Sequence, residues 1–565
     1  MMNKYSVKTL ASACLLFLFF SPLISQSVYQ EKIFIHTDRA LYHAGELMWM
    51  KVYVAEATSS EPGRLSSVVY IQLLDSSGAS VSESVINIKN GRGRGALEIP
   101  GNLHSSIYTV VAFTRWMRNF GPENLYSKPI SVINGYGAAT ILSDNNVSSG
   151  PDASELQISI SADEGAYDNR RPVNLSIATV DKSGKPVSAN LSVSVYLVDT
   201  ATMPLQQNIV HAFRNKPEPS SFSRSFAADF RGQWITGTLI DSNNAPAKNV
   251  AIYLVIPGYA SGFHNTQTDD AGRFSLQMND GVISDSVLIL TNPLIDSGYV
   301  IQVDNPFINV HPENFHNRLH DKTNPRLSEL ARNVAEIRQA FNVPSYLKVH
   351  SICDTMPFYG HHDLSYNLDD YTRFGKMEEV FREFVRFVTV HRRGGRFHLN
   401  VFNDAYQSMF DSDPLVLIDG YPVFDINRLF EFDPLKLQHV QVVTRRFFRG
   451  TGVFNGIINL VTYTRNLNSF ETDRNAISLK KEIAQPEKKF VSPRYDSDAE
   501  RKNRMPDFRT LMHWEPDVIT DSTGKSSLNF FTSDLTGVYI IEVNGQTNDG
   551  KCGSARKLFT VQRRR

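Results

Sequence analysis

The stretch Ile33-Phe-Ile-His-Thr-Asp-Arg-Ala-Leu-Tyr-His-Ala-Gly-Glu46 runs directly into Met48-Trp-Met-Lys-Val-Tyr-Val54 and then Val68-Val-Tyr-Ile-Gln-Leu-Leu74. β-Branched and aromatic residues fill these short runs, and Gly, Ser and Asn clusters separate them. Tyr108-Thr-Val-Val-Ala-Phe113 adds a run of the same kind. Repeated short strands bounded by turns predict a β-sandwich of about 100 residues over 26–135.

The same signal continues downstream. Leu191-Ser-Val-Ser-Val-Tyr-Leu197 alternates as a half-buried strand does, which predicts a second sandwich over 150–200, followed by a linker to about 232. Trp234-Ile-Thr-Gly-Thr-Leu-Ile240, Val250-Ala-Ile-Tyr-Leu-Val-Ile256 and Gly272-Arg-Phe-Ser-Leu276 predict a third over 233–308. The period then changes. Leu327, Leu330, Ala331, Val334, Ile337 and Phe341 share one helical face, with Asn324 as cap, so 318–342 reads as helix and linker. A second helix is expected from about 376 to 388, followed by strands, which makes 343–465 an α+β unit. Residues 466–505 are polar and charged and read as an exposed linker. Strands return over 506–565, as a C-terminal sandwich segment. The fold class is therefore mainly β: serial β-sandwiches with one α+β unit.

Composition narrows the function. The 565 residues carry 58 basic and 58 acidic side chains, 41% hydrophobic residues and three cysteines. Cores can form, and the balanced charge argues against a nucleic-acid partner. Three cysteines are too few for a disulfide scaffold or an all-cysteine metal site. Residues 1–25 read as a secretory signal peptide, with Lys4 and Lys8 ahead of the apolar run Leu10-Ala-Ser-Ala-Cys-Leu-Leu-Phe-Leu-Phe-Phe20. Its removal leaves a formal charge of −2, and two cysteines, Cys353 and Cys552, which read as two unpaired thiols or as a pair in an oxidising compartment. No later apolar run reaches membrane-spanning length, so no transmembrane segment is expected in the mature chain. The expected location is the periplasm or the outer-membrane surface.

Several motifs resemble known families. The first sandwich resembles the MG2 domain of the macroglobulin family on Thr37, Asp38, Tyr42, Gly45 and Glu46, with Ala40 and Ala44 where that pattern has prolines. The resemblance implies that Gly45 supplies a turn and Tyr42 packs beneath it. The 506–565 segment looks macroglobulin-like too, on Thr520-Asp-Ser-Thr-Gly524 and Asp534-Leu-Thr-Gly-Val-Tyr539. Residues 233–308 resemble the carboxypeptidase regulatory-like sandwich on Thr268-Asp-Asp-Ala-Gly-Arg-Phe274. Residues 343–465 resemble the plug of TonB-dependent receptors on Asp419, Gly420, Pro422, Gly450, Gly452, Gly456 and Thr462. Only about 100 residues follow Thr464, and they show no barrel-length series of strands. Together the motifs resemble multidomain envelope proteins of gram-negative bacteria with a plug-like unit and no barrel.

Chemistry is sparse. His350, Cys353, His361 and His362 are ligand types for zinc, but their spacing fits no familiar template and reads as a histidine-bearing loop. Asp269 with Asp270, Asp369 with Asp370, and Asp411 with Asp413 read as turn formers. Arg392-Arg-Gly-Gly-Arg396 and Arg445-Arg-Phe-Phe-Arg449 read as a solvated turn and strand edge. No nucleophile elbow, metalloprotease helix, phosphate loop or thioester segment is present, so neither a catalytic residue nor a cofactor is expected. The expected function is a non-enzymatic cell-envelope binding or scaffold protein. Its partner would be an envelope protein, such as an outer-membrane β-barrel or a TonB-type coupling protein. Three alternatives stay open: an accessory plug of an outer-membrane barrel, a thioester-less protease binder, and an envelope hydrolase.

Overall fold

A computed structural model describes residues 28–135, 154–198, 207–214, 222–258, 262–278, 287–295, 298–309, 356–480 and 482–563. It also describes the short pieces 140–142, 321–323 and 346–348, with residues 332 and 336. The expected signal peptide, the helix expected within 318–342, His350 and Cys353 lie outside the described residues.

The first sandwich is an eight-stranded sheet folded on itself. In spatial order its strands are Glu31–Thr37, Leu47–Glu56, Arg92–Glu98, Ser80–Lys89, Val68–Leu74, Ser106–Phe113, Tyr126–Ile133 and Leu41–His43. Leu47–Glu56 alternates in chemistry, yet every position from Met48 to Ala55 is buried. Met48, Met50, Val52 and Val54 pack into the sandwich's own core. Trp49 and Lys51 point the other way, against a second sandwich.

That second sandwich differs from the sequence expectation. One sheet joins Leu156–Ala162, Pro172–Asp181 and Lys525–Phe531. The other runs Ala166–Asp168, Cys552–Gln562, Gly537–Gln546, Asn190–Val198 and Leu511–Ile519. Units 150–200 and 506–565 are thus not separate sandwiches but two parts of one. Leu191, Val193 and Val195 form a common core with Ile541, Val543 and Phe559. The physical reason is that a few strands with one apolar face cannot bury that face alone. Alternation records which face is apolar and says nothing of the partner.

Two further units are inserted between these parts. The third unit packs the sheet Arg273–Gln277, Trp234–Ile240, Val300–Val303 against Phe263–Gln267, Ala251–Val255, Val287–Thr291 and Ile477–Leu479. Its last strand comes from the segment expected to be an exposed linker. Residues 466–505 are instead largely docked: Leu479, Ile483 and Ala484 are buried, and the Phe490 ring stands edge-on to Trp49 at 5.8 Å. The many charges misled because they alternate with these few inward apolar side chains. Ser497 and Glu500 close a reciprocal cap on the short helix Asp498–Arg501.

The fourth unit is the α+β one. Its sheet orders Leu364–Asn367, Leu437–Arg449, Gly452–Thr462, Leu415–Ile418 and Tyr421–Pro422. Leu415–Ile418 runs parallel to Gly452–Thr462 and the other pairs are antiparallel. Helices Met377–Glu383 and Ile426–Glu431 pack beside the hairpin Val388–Arg393 and Arg396–Asn403. The helix expected to reach 388 stops at Glu383, because Val388-Thr-Val390 begins a strand. The architecture is mainly β, with sandwiches in series and one α+β unit. Among the described residues no helix is long and apolar enough to cross a membrane.

Candidate functional site

The residues of the MG2-like motif meet in one buried knot. Gly45 turns the chain with φ of 85°. The Tyr42 hydroxyl donates to Asp38 Oδ1 at 2.6 Å, and the Trp49 amide donates to the same oxygen at 3.1 Å. Arg39 lies over the Tyr42 ring and pairs with Glu46 at 2.9 Å, while Glu46 accepts from the His43 amide. Thr37 accepts from Lys128 Nζ at 2.6 Å. Arg39 Nη1 then reaches Thr510 Oγ1 in the second sandwich at 2.6 Å. Burial pushes the Asp38 carboxyl up to about 6, against the pull of Arg39. Most of these contacts are made within the motif, and the Arg39–Thr510 bond ties the knot to the second sandwich, so it orders the junction of two sandwiches.

The same junction holds charges that the sequence did not single out. Gly537–Gln546 turns Tyr539, Ile541 and Val543 into its own core and Ile540 toward the first sandwich. Glu542 shares that outward side; it is wholly buried and accepts from Tyr196 at 3.0 Å and Arg556 at 3.0 Å. Burial holds His36 neutral, with its pKa lowered to about 4, and lowers Lys128 to about 8. A lone glutamate in Ile540-Ile-Glu-Val543 was the available signal: a charge inside an apolar strand requires a buried partner.

The plug-like motif also has a local structural cause. Asp419 and Gly420 take φ of 47° and 85° as the two-residue turn of the hairpin from Leu415–Ile418 to Tyr421–Pro422. The Asp419 carboxylate accepts from the Thr462 amide at 2.8 Å, the Thr462 hydroxyl at 2.6 Å and the Leu467 amide at 2.9 Å. Asp419 and Thr462 are therefore one clasp. Pro422 closes the hairpin opposite Leu417. Gly456 abuts Val401. Gly450 and Gly452 lie against Asn265 of the third unit, where a Cβ on Gly450 would sit 2.4 Å from a backbone oxygen.

Between the third and fourth units lies a cleft of about 250 Å³. The Tyr359 hydroxyl and the Asn459 amide both donate to Gln441 Oε1 at 3.0 Å. His439 and Ser365 share its wall. Burial pushes the Tyr359 hydroxyl up to about 12. The Phe263 and Phe358 rings stack at 4.7 Å and join the two units beside this cleft. Phe448 and Val453 oppose each other across the end of the long hairpin, 68% and 57% exposed. Tyr406, at another hairpin turn, is 81% exposed.

The remaining sequence candidates disperse. His361 and His362 are exposed, and the neighbouring Asp363 is occupied by Arg445 at 2.7 Å. Among the described residues no three metal-ligating side chains gather. Asp269 accepts from the amides of Ala271 and Arg273 as a turn former does, Asp370 from Asn367, and Asp413 from His398 and Leu399. Gly394 and Gly395 make the turn within the first arginine patch. Arg446 and Arg449 of the second are held by Asn455 and the Phe263 carbonyl. Cys552 is a buried free thiol.

No protein-family model and no curated protein matches the sequence. Among solved structures, native alpha-2-macroglobulin of E. coli aligns over 95% of this chain and 40% of its own, at 10% identity and TM-score 0.25. Salmonella alpha-2-macroglobulin reacted with methylamine gives the same coverage and TM-score at 8% identity. The Yersinia pseudotuberculosis adhesin InvE aligns over 48% of this chain and 58% of its own, at 10% identity and TM-score 0.14. The chain thus spans about 40% of the length of the macroglobulins it aligns with. The fold assignment rests on the sheets described above.

Proposed function

We propose that the chain is a non-enzymatic cell-envelope binding and scaffold protein. Its fused sandwiches hold the α+β unit as a docking module for an outer-membrane or periplasmic protein. The observation that carries this reading is the insertion. The chain leaves the second sandwich after Val198 and re-enters it at Leu511, so the α+β unit is tethered at both ends to one rigid base. From that base the unit turns Phe448, Val453 and Tyr406 to solvent, side chains of the kind that anchor protein interfaces. The two arginine patches add positive charge around them. The clasp of Asp419 and Thr462 keeps the unit stiff, which limits the entropy lost on docking.

Site-specific photo-crosslinking in cells tests the proposal. A photoreactive residue at Phe448, Val453 or Tyr406 should give adducts with an envelope protein, of which a β-barrel or a TonB-type coupling protein is the leading expectation. The same residue at Ile519 or Leu558, exposed on the second sandwich, should give fewer. Adducts absent at all three positions, or equal at the sandwich positions, would overturn it.

A further inference from the structure

A second cleft, of about 400 Å³, opens between the first sandwich and the third unit. It falls in the size range of small-ligand sites. Arg115 and Arg118 enter it from the turn around Trp116–Phe120, and Trp234 and Thr236 from the first strand of the third unit. Phe226, Asn305, Asp304 and Glu482 are among the other lining residues.

The two arginines differ from four other cations near the junctions. Lys51, Arg39, Arg170 and Arg556 each face a carboxylate. Arg115 makes no hydrogen bond or ion pair among the described residues. Arg118 rests on the Phe226 ring at 3.9 Å and spends one long bond, 3.4 Å, on the Pro306 carbonyl. Two acids also line the cleft and both are engaged: Asp304 accepts from Thr236 at 2.7 Å and from Arg273 at 2.9 Å, and Glu482 accepts from the Lys480 amide at 3.1 Å. The wholly buried Asp229 influences Arg115 from below, but burial pushes its carboxyl up to about 7, so it offsets that guanidinium only in part at neutral pH. Two half-buried guanidinium groups with no hydrogen-bonded carboxylate, set beside aromatic rings and neutral hydrogen-bonding groups, suit a ligand of definite chemistry. It carries one anionic group, an apolar ring face and hydroxyls.

We propose that this cleft binds an acidic sugar unit, a saccharide ring bearing one carboxylate. Arg115 and Arg118 hold the carboxylate, Trp234 and Phe226 cover the C–H face of the ring, and Thr236 and Asn305 meet its hydroxyls. Docking through Phe448 and Val453 does not depend on this site, since neither residue lines the cleft.

Calorimetric titration of the full mature chain with glucuronate tests the proposal, with glucose and inorganic phosphate as separating probes. Glucose keeps the ring and lacks the charge; phosphate keeps charge and lacks the ring. Each should bind at least about tenfold more weakly than glucuronate, the scale of one charge-assisted contact pair. Arg115→Gln with Arg118→Gln should remove glucuronate binding. Arg115→Gln alone, which breaks no hydrogen bond, should weaken it with the unfolding midpoint unchanged. Glucuronate failing to bind at millimolar concentration, phosphate binding as tightly, or Arg115→Gln binding glucuronate as well as the parent would each overturn the proposal.

Discussion

The hydroxyl of Thr179 lies 2.9 Å from the hydroxyl of Thr520, both wholly buried, with 341 positions of chain between them. Thr520 also takes the amide of Ala189 at 2.8 Å, and Thr179 donates to the Val187 carbonyl at 2.6 Å. The two threonines fasten the parts of one sandwich at the end where the strands turn. Removing residues 506–565 should therefore unfold 154–198 as well, because Leu191, Val193 and Val195 lose their covering strands. Limited proteolysis of such a truncated chain should cut within 154–198, while the first sandwich survives.

Lys51 gives a second expectation. The residue is 2% exposed, and its ammonium is neutralised by Asp517, which also takes Arg94. Asp517→Asn leaves that buried charge without its counterion and should cost about 3 kcal/mol in urea unfolding, the lower end of the range for breaking a buried pair. Lys51→Met added to Asp517→Asn should recover most of the loss.

Asp229 sets a pH dependence. Its folded pKa is about 7, raised chiefly by burial from an ordinary 3.8. The folded state holds the proton more tightly than the unfolded chain, so this stabilisation is complete below about pH 4 and is lost as pH rises to about 7. Asp229→Asn should remove it. The difference in unfolding free energy between variant and parent should shift by about 1–4 kcal/mol in the variant's favour from pH 4 to pH 8. The comparison must be between variant and parent, because His36, His264 and His513, each lowered to about 4, slope the other way below pH 6.5.

Gly450 tests the seam between the third and fourth units. With φ of 53° and the Asn265 carbonyl in the place of a Cβ, Gly450→Ala should cost about 1–3 kcal/mol. Gly165→Ala, with open space around it, should cost far less. Hydrogen exchange should quicken in Phe263–Gln267 and in Gly452–Thr462 together.

The strands were legible because period two is written locally: Met48 to Val54, Leu191 to Leu197 and Val538 to Val543 all form as their patterns require. The Asp419-Gly420 turn was equally legible, since Asp-Gly is among the few dipeptides that favour two successive positive φ values. Pairing was not. Nothing in Asn190–Val198 says that its neighbours are Leu511–Ile519 and Gly537–Gln546. The docked 466–505 segment hid because six scattered buried apolar side chains carry little weight among so many charges. The Arg115 cleft hid because its walls come from two units, and its arginines are ordinary in sequence.

The split sandwich also dictates an order of events during synthesis. Asn190–Val198 emerges with neither of its neighbours yet made, and closing its sheet means joining ends across one of the longest loops in the chain. The first sandwich and the inserted units can fold as they appear. The second sandwich cannot close until the final strand, Cys552–Gln562, has been delivered. Its two half-made sheets stay open until then, and a chain interrupted near its end carries them as an exposed edge that chaperones and proteases can read.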